Sequence, residues 1–171
     1  MNKFRNCEIS RSRLAGAILR LFGARYRAIS LRDAGLRLVA GEPKDVTFSE
    51  LSGPTKLTKK LGFTGISVLS KDGELKLLGL KRATAQDFVS AANSAWRSHF
   101  IRQVEAFEGE LRSLAEVVER LQQPKRYPSA CLLEPFLARA KTVLEGLPDT
   151  IPNDVLSQEQ QTVLDLVRNL R

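Results

Sequence analysis

The spacing of apolar residues changes along this chain. Between residues 26 and 80 they come in short runs separated by turn formers. "YRAISL" (Tyr26–Leu31) and "GLRLVA" (Gly35–Ala40) flank "RDA", and "DVTFSEL" (Asp45–Leu51) follows "GEP". "GFTGISVLS" (Gly62–Ser70) and "ELKLLGL" (Glu74–Leu80) flank "KDG", a hairpin signal at Lys71–Gly73. "TKLTKKL" (Thr55–Leu61), set off by Gly53-Pro54, is open as one strand more. Five or six short strands with tight turns predict an antiparallel meander rather than a parallel sheet.

On either side the period is helical. Leu14, Ala15, Ile18, Leu21 and Phe22 form a stripe within residues 10–24, with Arg11, Arg13 and Arg20 elsewhere on the wheel and Ser10 as cap. A basic amphipathic helix can lie on a membrane. Here the stripe is read as packing on its own domain. Thr84 caps the next helix, with Asp87 three residues on. No proline interrupts residues 84–123, which allows one helix of about 60 Å.

Phe88, Val89, Ala92 and Trp96 would plug the sheet. Phe100, Val104, Phe107, Leu111, Leu114, Val118 and Leu121 then recur in alternating steps of four and three, a heptad seam. "QQPKRYPS" (Gln122–Ser129) breaks the helix. Leu133, Phe136, Ala140, Val143 and Leu147 form a second seam, whose helix starts near Glu134 or is kinked at Pro135. Two seams joined by a short turn predict an antiparallel helical hairpin. A last helix, Ser157–Leu170, presents Val163, Val167 and Leu170.

The fold class expected is therefore α+β: a small antiparallel, barrel-like sheet closed by a helix, in the pleckstrin-homology-like pattern, then an antiparallel helical hairpin and a terminal helix. The division expected is 1–98 for the sheet module with its N-terminal helix and 99–171 for the helices.

Charge adds a direction. Residues 1–82 carry 17 Lys/Arg against 7 Asp/Glu, a net of +10, and residues 83–171 carry 10 against 12, a net of −2. A basic half beside a near-neutral half points the first half at a polyanion. Candidate phosphate contacts are Lys56, Lys59 and Lys60 near one strand, Lys81 and Arg82 at the strand–helix junction, and Arg97 and Arg102 along the helix. The only aromatics of the sheet region are Tyr26, Phe48 and Phe63, too few for a stacking strip, so contact with nucleic acid would be to the backbone and independent of sequence.

Catalytic chemistry has little to stand on. The one histidine, His99, sits in "WRSHF", and Cys7 and Cys131 are far apart, so no metal-ligand spacing exists. The sequence holds neither G-x-x-x-x-G-K-[ST] nor G-x-S-x-G. Glu108 with Glu110, and Glu116 with Glu119, read as a solvated helix face. No run of about 18 apolar residues occurs, and "MNKFRNCEIS" carries no export signal, so a cytoplasmic protein with reduced thiols is expected.

The stretch from Gly35 to Phe100 resembles the N-terminal region of DNA helicase IV and related UvrD/Rep-type superfamily 1 helicases. The resemblance is carried by the basic turn before a glycine-containing strand (Lys59, Lys60, Gly62, Gly65), by "KDGELKLLGL", and by the Trp96-Arg97 pair, and it extends over about residues 26–147. It implies an accessory role in an ATP-dependent 3′–5′ DNA helicase, making non-specific DNA contacts or docking on motor domains in cis. ATP and Mg²⁺ would belong to that motor, and this chain would hold no cofactor. Such helicases carry an adenine-reading Q motif, to which Leu156, Ser157, Gln160 and Val163 or Leu164 give a loose fit. An ordinary capped helix explains those residues better, with Gln160 facing back to Ser157. A monomer away from membranes is expected. The rivals are a protein-interaction adaptor and a module for anionic lipid headgroups.

Overall fold

The computed structural model describes residues 8–21, 25–122, 130–147, 151 and 155–169. Expectations placed on Cys7, Phe22, Leu170 and the segment after Gln122 lie outside these residues, as do those on the side chains of Val118, Leu121, Cys131, Leu133 and Val167. The chain divides into two compact units, Met1–His99 and Phe100–Arg171.

Among the described residues the first unit holds seven strands: β1 (Glu8–Ser10), β2 (Ala28–Leu31), β3 (Gly35–Val39), β4 (Lys44–Thr47), β5 (Lys56–Lys60), β6 (Phe63–Ser70) and β7 (Gly73–Leu78). They form two antiparallel sheets, β1-β2-β3-β4 and β5-β6-β7, rather than one meander. Across the first sheet Ile9 pairs with Ile29, Ile29 with Leu38, and Leu36 with Val46. Across the second Leu57 pairs with Ile66 and Ile66 with Leu77. The side-chain period of two buries Leu36, Leu38, Ile66, Val68 and Leu77 together with Phe48. The two sheets meet at one bridge, Leu51 to Ser70. The amides of Ser52 and Lys71 reinforce it by donating to the carbonyls of Leu69 and Glu50. The expected strand Asp45–Leu51 is cut short because its second half turns into a 3₁₀ helix, Phe48–Glu50, which drops Phe48 into the core. The hairpin predicted at Lys71–Gly73 forms, with a turn of two residues, Lys71 and Asp72, and Gly73 already paired opposite Ser70.

Helix α1 (Arg13–Leu21) follows β1 in sequence and begins three residues later than the expected start at Ser10. Ser12, not Ser10, caps it: its Oγ accepts from the Ala15 amide at 3.3 Å, and its carbonyl accepts from Gly16. The face it buries also differs from the expected one. Ala15 and Leu19 are buried with Leu78 and the partly buried Phe63. Leu14 and Leu21 of the expected packing stripe are 78% and 85% exposed, and Ile18 is 39% exposed. The cause is the close approach of α1 to Gly79. A Cβ there would lie 2.8 Å from that of Ala15, and the φ of +87° already disfavours a side chain.

Helix α2 (Arg82–Ala106) begins two residues before the expected Thr84 cap, because the Lys81 carbonyl already accepts from the Ala85 amide. Within the first unit it buries Ala85, Phe88, Ala92 and Trp96. Asn93 ties it to the sheets, its amide group accepting from the Thr55 N–H at 2.8 Å and donating to the Thr55 carbonyl at 3.0 Å.

The second unit corrects the single long helix. Helix α2 stops at Ala106, Phe107 forms a turn, and α3 (Glu108–Gln122) starts afresh. Helix α4 (Ala130–Gly146) runs through Pro135, and α5 (Gln158–Asn169) follows. The seam survives the break: Phe100, Val104, Leu111 and Leu114 are buried, as are Phe136, Ala140, Val143 and Leu147. Helices α3 and α4 are antiparallel, since Arg139 donates to Ser113 and Gly146 abuts the ring of Phe107. The site at Gly146 has no room for a methyl group while that ring is in place.

Two opposed effects therefore act on Gly146→Ala: helix propensity favours alanine, and the Phe107 ring excludes it. In the natural background the substitution is expected to cost about 1–2 kcal/mol by urea denaturation. In a Phe107→Ala background it is expected to be neutral or to stabilise by up to about 1 kcal/mol. The same sign in both backgrounds would disprove the contact.

Candidate nucleic-acid interface

The seven cations singled out from sequence are all exposed, but they do not form one patch. Lys56, Lys59 and Lys60 lie on β5, the edge of its sheet. Strand alternation puts Lys56 and Lys60 on one face and Lys59 on the other. Lysines on an edge strand also keep that edge from pairing with another chain, so their presence has a structural reason independent of any ligand. Lys81 and Arg82 sit at the start of α2. Arg97 lies fifteen residues on, about 22 Å along the helix axis. Arg102 belongs to the second unit.

Other cations of the sheets are neutralised. Arg37 makes a two-pronged pair with Asp45, both contacts 2.6 Å, and Lys44 meets Asp72 at 3.0 Å. The hydrogen bond from Arg37 holds the Asp45 carboxyl below its ordinary range. Glu74 is likewise held down, first by Lys76, then by the Ser67 hydroxyl, with Lys60 contributing from further off. These exposed pairs contribute little to stability. Their effect is to remove β3, β4 and β7 as surfaces for a polyanion.

A denser group of arginines lies elsewhere, in residues outside the seven candidates: Arg11, Arg13 and Arg20 of the predicted first helix and Arg27 of the predicted first strand. A cleft of about 320 Å³ opens between β1, α1 and the start of β2, lined by Arg11, Arg13, Arg20 and Arg27 together with Glu8, Ser10 and Ser12. Among the described residues none of these four arginines forms an ion pair. Arg11 is partly buried, its stem alongside Gly16, and its Nη1 is fully buried without a hydrogen-bond partner. Burial first, and then the charge of Arg20, push the Arg11 guanidinium below its ordinary pKa. The signal was in the sequence at a finer scale: residues 1–32 hold eight Lys/Arg and one carboxylate, Glu8, a net of +7, against +1 for residues 33–171.

Three other candidates resolve into structure. Gln160 and Ser157 form a reciprocal capping box at α5. The Gln160 side chain accepts from the Ser157 amide at 3.0 Å, and the Ser157 hydroxyl accepts from the Gln160 amide at 3.2 Å. His99 packs its ring against Phe48, centroids 5.5 Å apart. Glu108 pairs with Arg112 at 2.8 Å along α3. Among the described residues no group of three or more His, Cys, Asp or Glu is arranged to hold a metal ion, and no helix is long and apolar enough to cross a membrane. No family model, curated protein or solved structure matches the chain.

The β5–β6 hairpin turns through Leu61 and Gly62 with φ of +54° and +79°. Positive φ at both positions is the mark of a type I′ turn, which favours Asn-Gly. A leucine there is strained by roughly 1–2 kcal/mol and is 54% exposed, so no burial offsets it. Leu61→Asn is expected to raise stability by about 0.5–1 kcal/mol. An unchanged or lowered urea midpoint would show that the turn is not built this way.

Proposed function

We propose that this chain is a non-catalytic accessory region of an ATP-dependent 3′–5′ DNA helicase and that its first unit grips the nucleic-acid backbone without reading sequence. The single observation that carries the binding role is the net of +7 over residues 1–32, with four of its arginines in one cleft and unpaired among the described residues. Arginine forks suit phosphate oxygens, and no aromatic strip accompanies them to stack bases. The exposed Lys56, Lys59 and Lys60 extend the basic surface.

The helicase assignment is supported by the resemblance over residues 26–147. The pleckstrin-homology-like reading of the module is supported by its order of elements: four strands in one antiparallel sheet, three in a second, then a helix that buries Phe88 and Trp96. ATP and Mg²⁺ would be handled by motor domains supplied in cis.

The binding role is tested by titrating the chain against duplexes of unrelated sequence. Equal affinities are expected, with log K falling against log salt at a slope of about −3.6 if about four phosphates are neutralised. Changing Lys56, Lys59 and Lys60 together to glutamate should weaken binding several-fold. Affinity that does not respond to salt would refute backbone binding.

A second reading, the protein-interaction adaptor, is favoured by one observation, the exposed stripe Leu14, Ile18 and Leu21 on α1. On that reading a partner covers the stripe and the arginines steer its approach. Leu14→Ser with Leu21→Ser separates the two: duplex affinity should hold within about twofold if the backbone reading is right. A loss of tenfold or more would make the stripe part of the binding surface.

A further inference from the structure

We propose that the cleft between β1, α1 and β2 is an anion site that seats a single phosphate group, with Arg11 at its floor and Arg13, Arg20 and Arg27 around it. The source we assign to that phosphate is a nucleic-acid backbone. The source rests on the backbone-binding reading above; the site itself does not.

The geometry supplies each requirement. Four arginines line one cleft, and the only carboxylate within residues 1–32, Glu8, lines it with them. Like charges brought together repel; Glu8 alone cannot balance four arginines, and among the described residues none of the four forms an ion pair. An anion in the cleft would offset that repulsion. The Nη1 of Arg11 is buried without an acceptor, a donor whose desolvation is uncompensated until a ligand oxygen arrives. Burial and Arg20 both act against the charged form of Arg11, as expected for a cation short of a counter-charge. Ser10 and Ser12 also line the cleft. Charge-assisted bonds from arginine are short and directional, and a phosphate offers more acceptor oxygens than a carboxylate to share among several arginines.

The position of the cleft on α1 decides between sources of phosphate. On a helical wheel of about 100° per residue, Leu14, Ile18 and Leu21 cluster together. Arg13, Gly16 and Arg20 on the cleft side are centred roughly 120° away. A flat bilayer that took up the leucines would lie side-on to the cleft and leave its arginines largely unengaged. A backbone phosphate protrudes from its strand and can enter the cleft from the flank.

Two measurements on the full chain test the site and its source separately. Thermal unfolding is followed in sodium pyrophosphate and in sodium chloride of equal ionic strength. A rise in Tm of about 3 °C or more is expected when pyrophosphate exceeds its Kd tenfold. Arg13→Gln with Arg20→Gln should abolish the rise, whereas the Lys56, Lys59 and Lys60 glutamate variant should keep it. Both Arg13 and Arg20 are exposed, so this pair decides the matter even if Arg11→Gln fails to fold. Equal melting in the two salts would overturn the site.

In the second measurement the Arg13/Arg20 pair variant is titrated with duplex DNA. One shared phosphate predicts a salt slope flatter by about 0.9. A flattening near 1.8, the sum of two separate contacts, would overturn the single seat. Loss of binding to phosphatidylserine vesicles with duplex affinity unchanged would overturn the nucleic-acid source.

Discussion

The contact between α1 and the backbone at Gly79 governs the first unit. Gly79 sits at φ +87° directly after β7, and its missing side chain lets Ala15 and Leu19 come down onto Leu78 and Phe63. Ser12 secures the same point, its amide donating to the Gly79 carbonyl at 3.2 Å while its side chain caps the helix. Burying Leu19 completely contributes on the order of 2 kcal/mol. Once that contact is made the rest of the helix has no freedom. Leu14, Ile18 and Leu21 turn to solvent, and Arg13 and Arg20 turn toward β1 and β2.

That orientation carries an electrostatic cost. Arg13 lies in the first turn of α1, where the helix dipole disfavours a cation, and the first turn holds no acidic residue. Arg11 lies just before it and Arg27 beside it, so several like charges surround one end of a short helix. The neighbouring sheet surfaces take the opposite course, pairing Arg37 with Asp45, Lys44 with Asp72 and Lys76 with Glu74. One protein thus pairs its cations on β3, β4 and β7, while among the described residues the four arginines around α1 form no ion pair. Folding alone gives no reason for the second arrangement, because a single Asp in place of Ser10 or Ser12 would relieve it.

The strands were legible where alternation was strict and the turn chemistry explicit, as in Phe63–Ser70, Lys71–Asp72 and Gly73–Leu78. Gln160 was legible for a similar reason: a capping box is a local pairing three residues apart, written wholly in sequence. β1 was missed because three residues are too few to show a period. The face of α1 was misread because its sequence carries two apolar faces, Ala15 with Leu19 and Leu14 with Ile18 and Leu21. Periodicity favours the larger, and only the close approach at Gly79 selects the smaller. The α2–α3 break carries no proline. The heptad continues through it, and Gly109, off the seam, gave only a faint warning. The arginine cleft escaped because charge was summed over 82 residues, and because which cations are paired is a property of tertiary structure.

The break at Phe107 is also a packing solution, not a flaw in the helix. A continuous helix would hold Phe107 at a seam position in register with Val104 and Leu111. In the structure the Phe107 amide reaches back to the Val104 carbonyl, and its own carbonyl accepts from Leu111. Both backbone groups are satisfied while the ring leaves the regular path and covers Gly146 at the end of α4. Glu108 and Glu110 then open α3 with the charge that a helix N-terminus favours. The seam residues on both sides stay buried, so the turn costs no core, and the glycine of α4 receives the ring that its own lack of a side chain makes room for. The second unit therefore closes its hairpin with one aromatic and one glycine. That local, apolar closure needs no charge, and it fits a unit whose net charge is nearly zero, whereas the first unit carries the net positive charge of the chain.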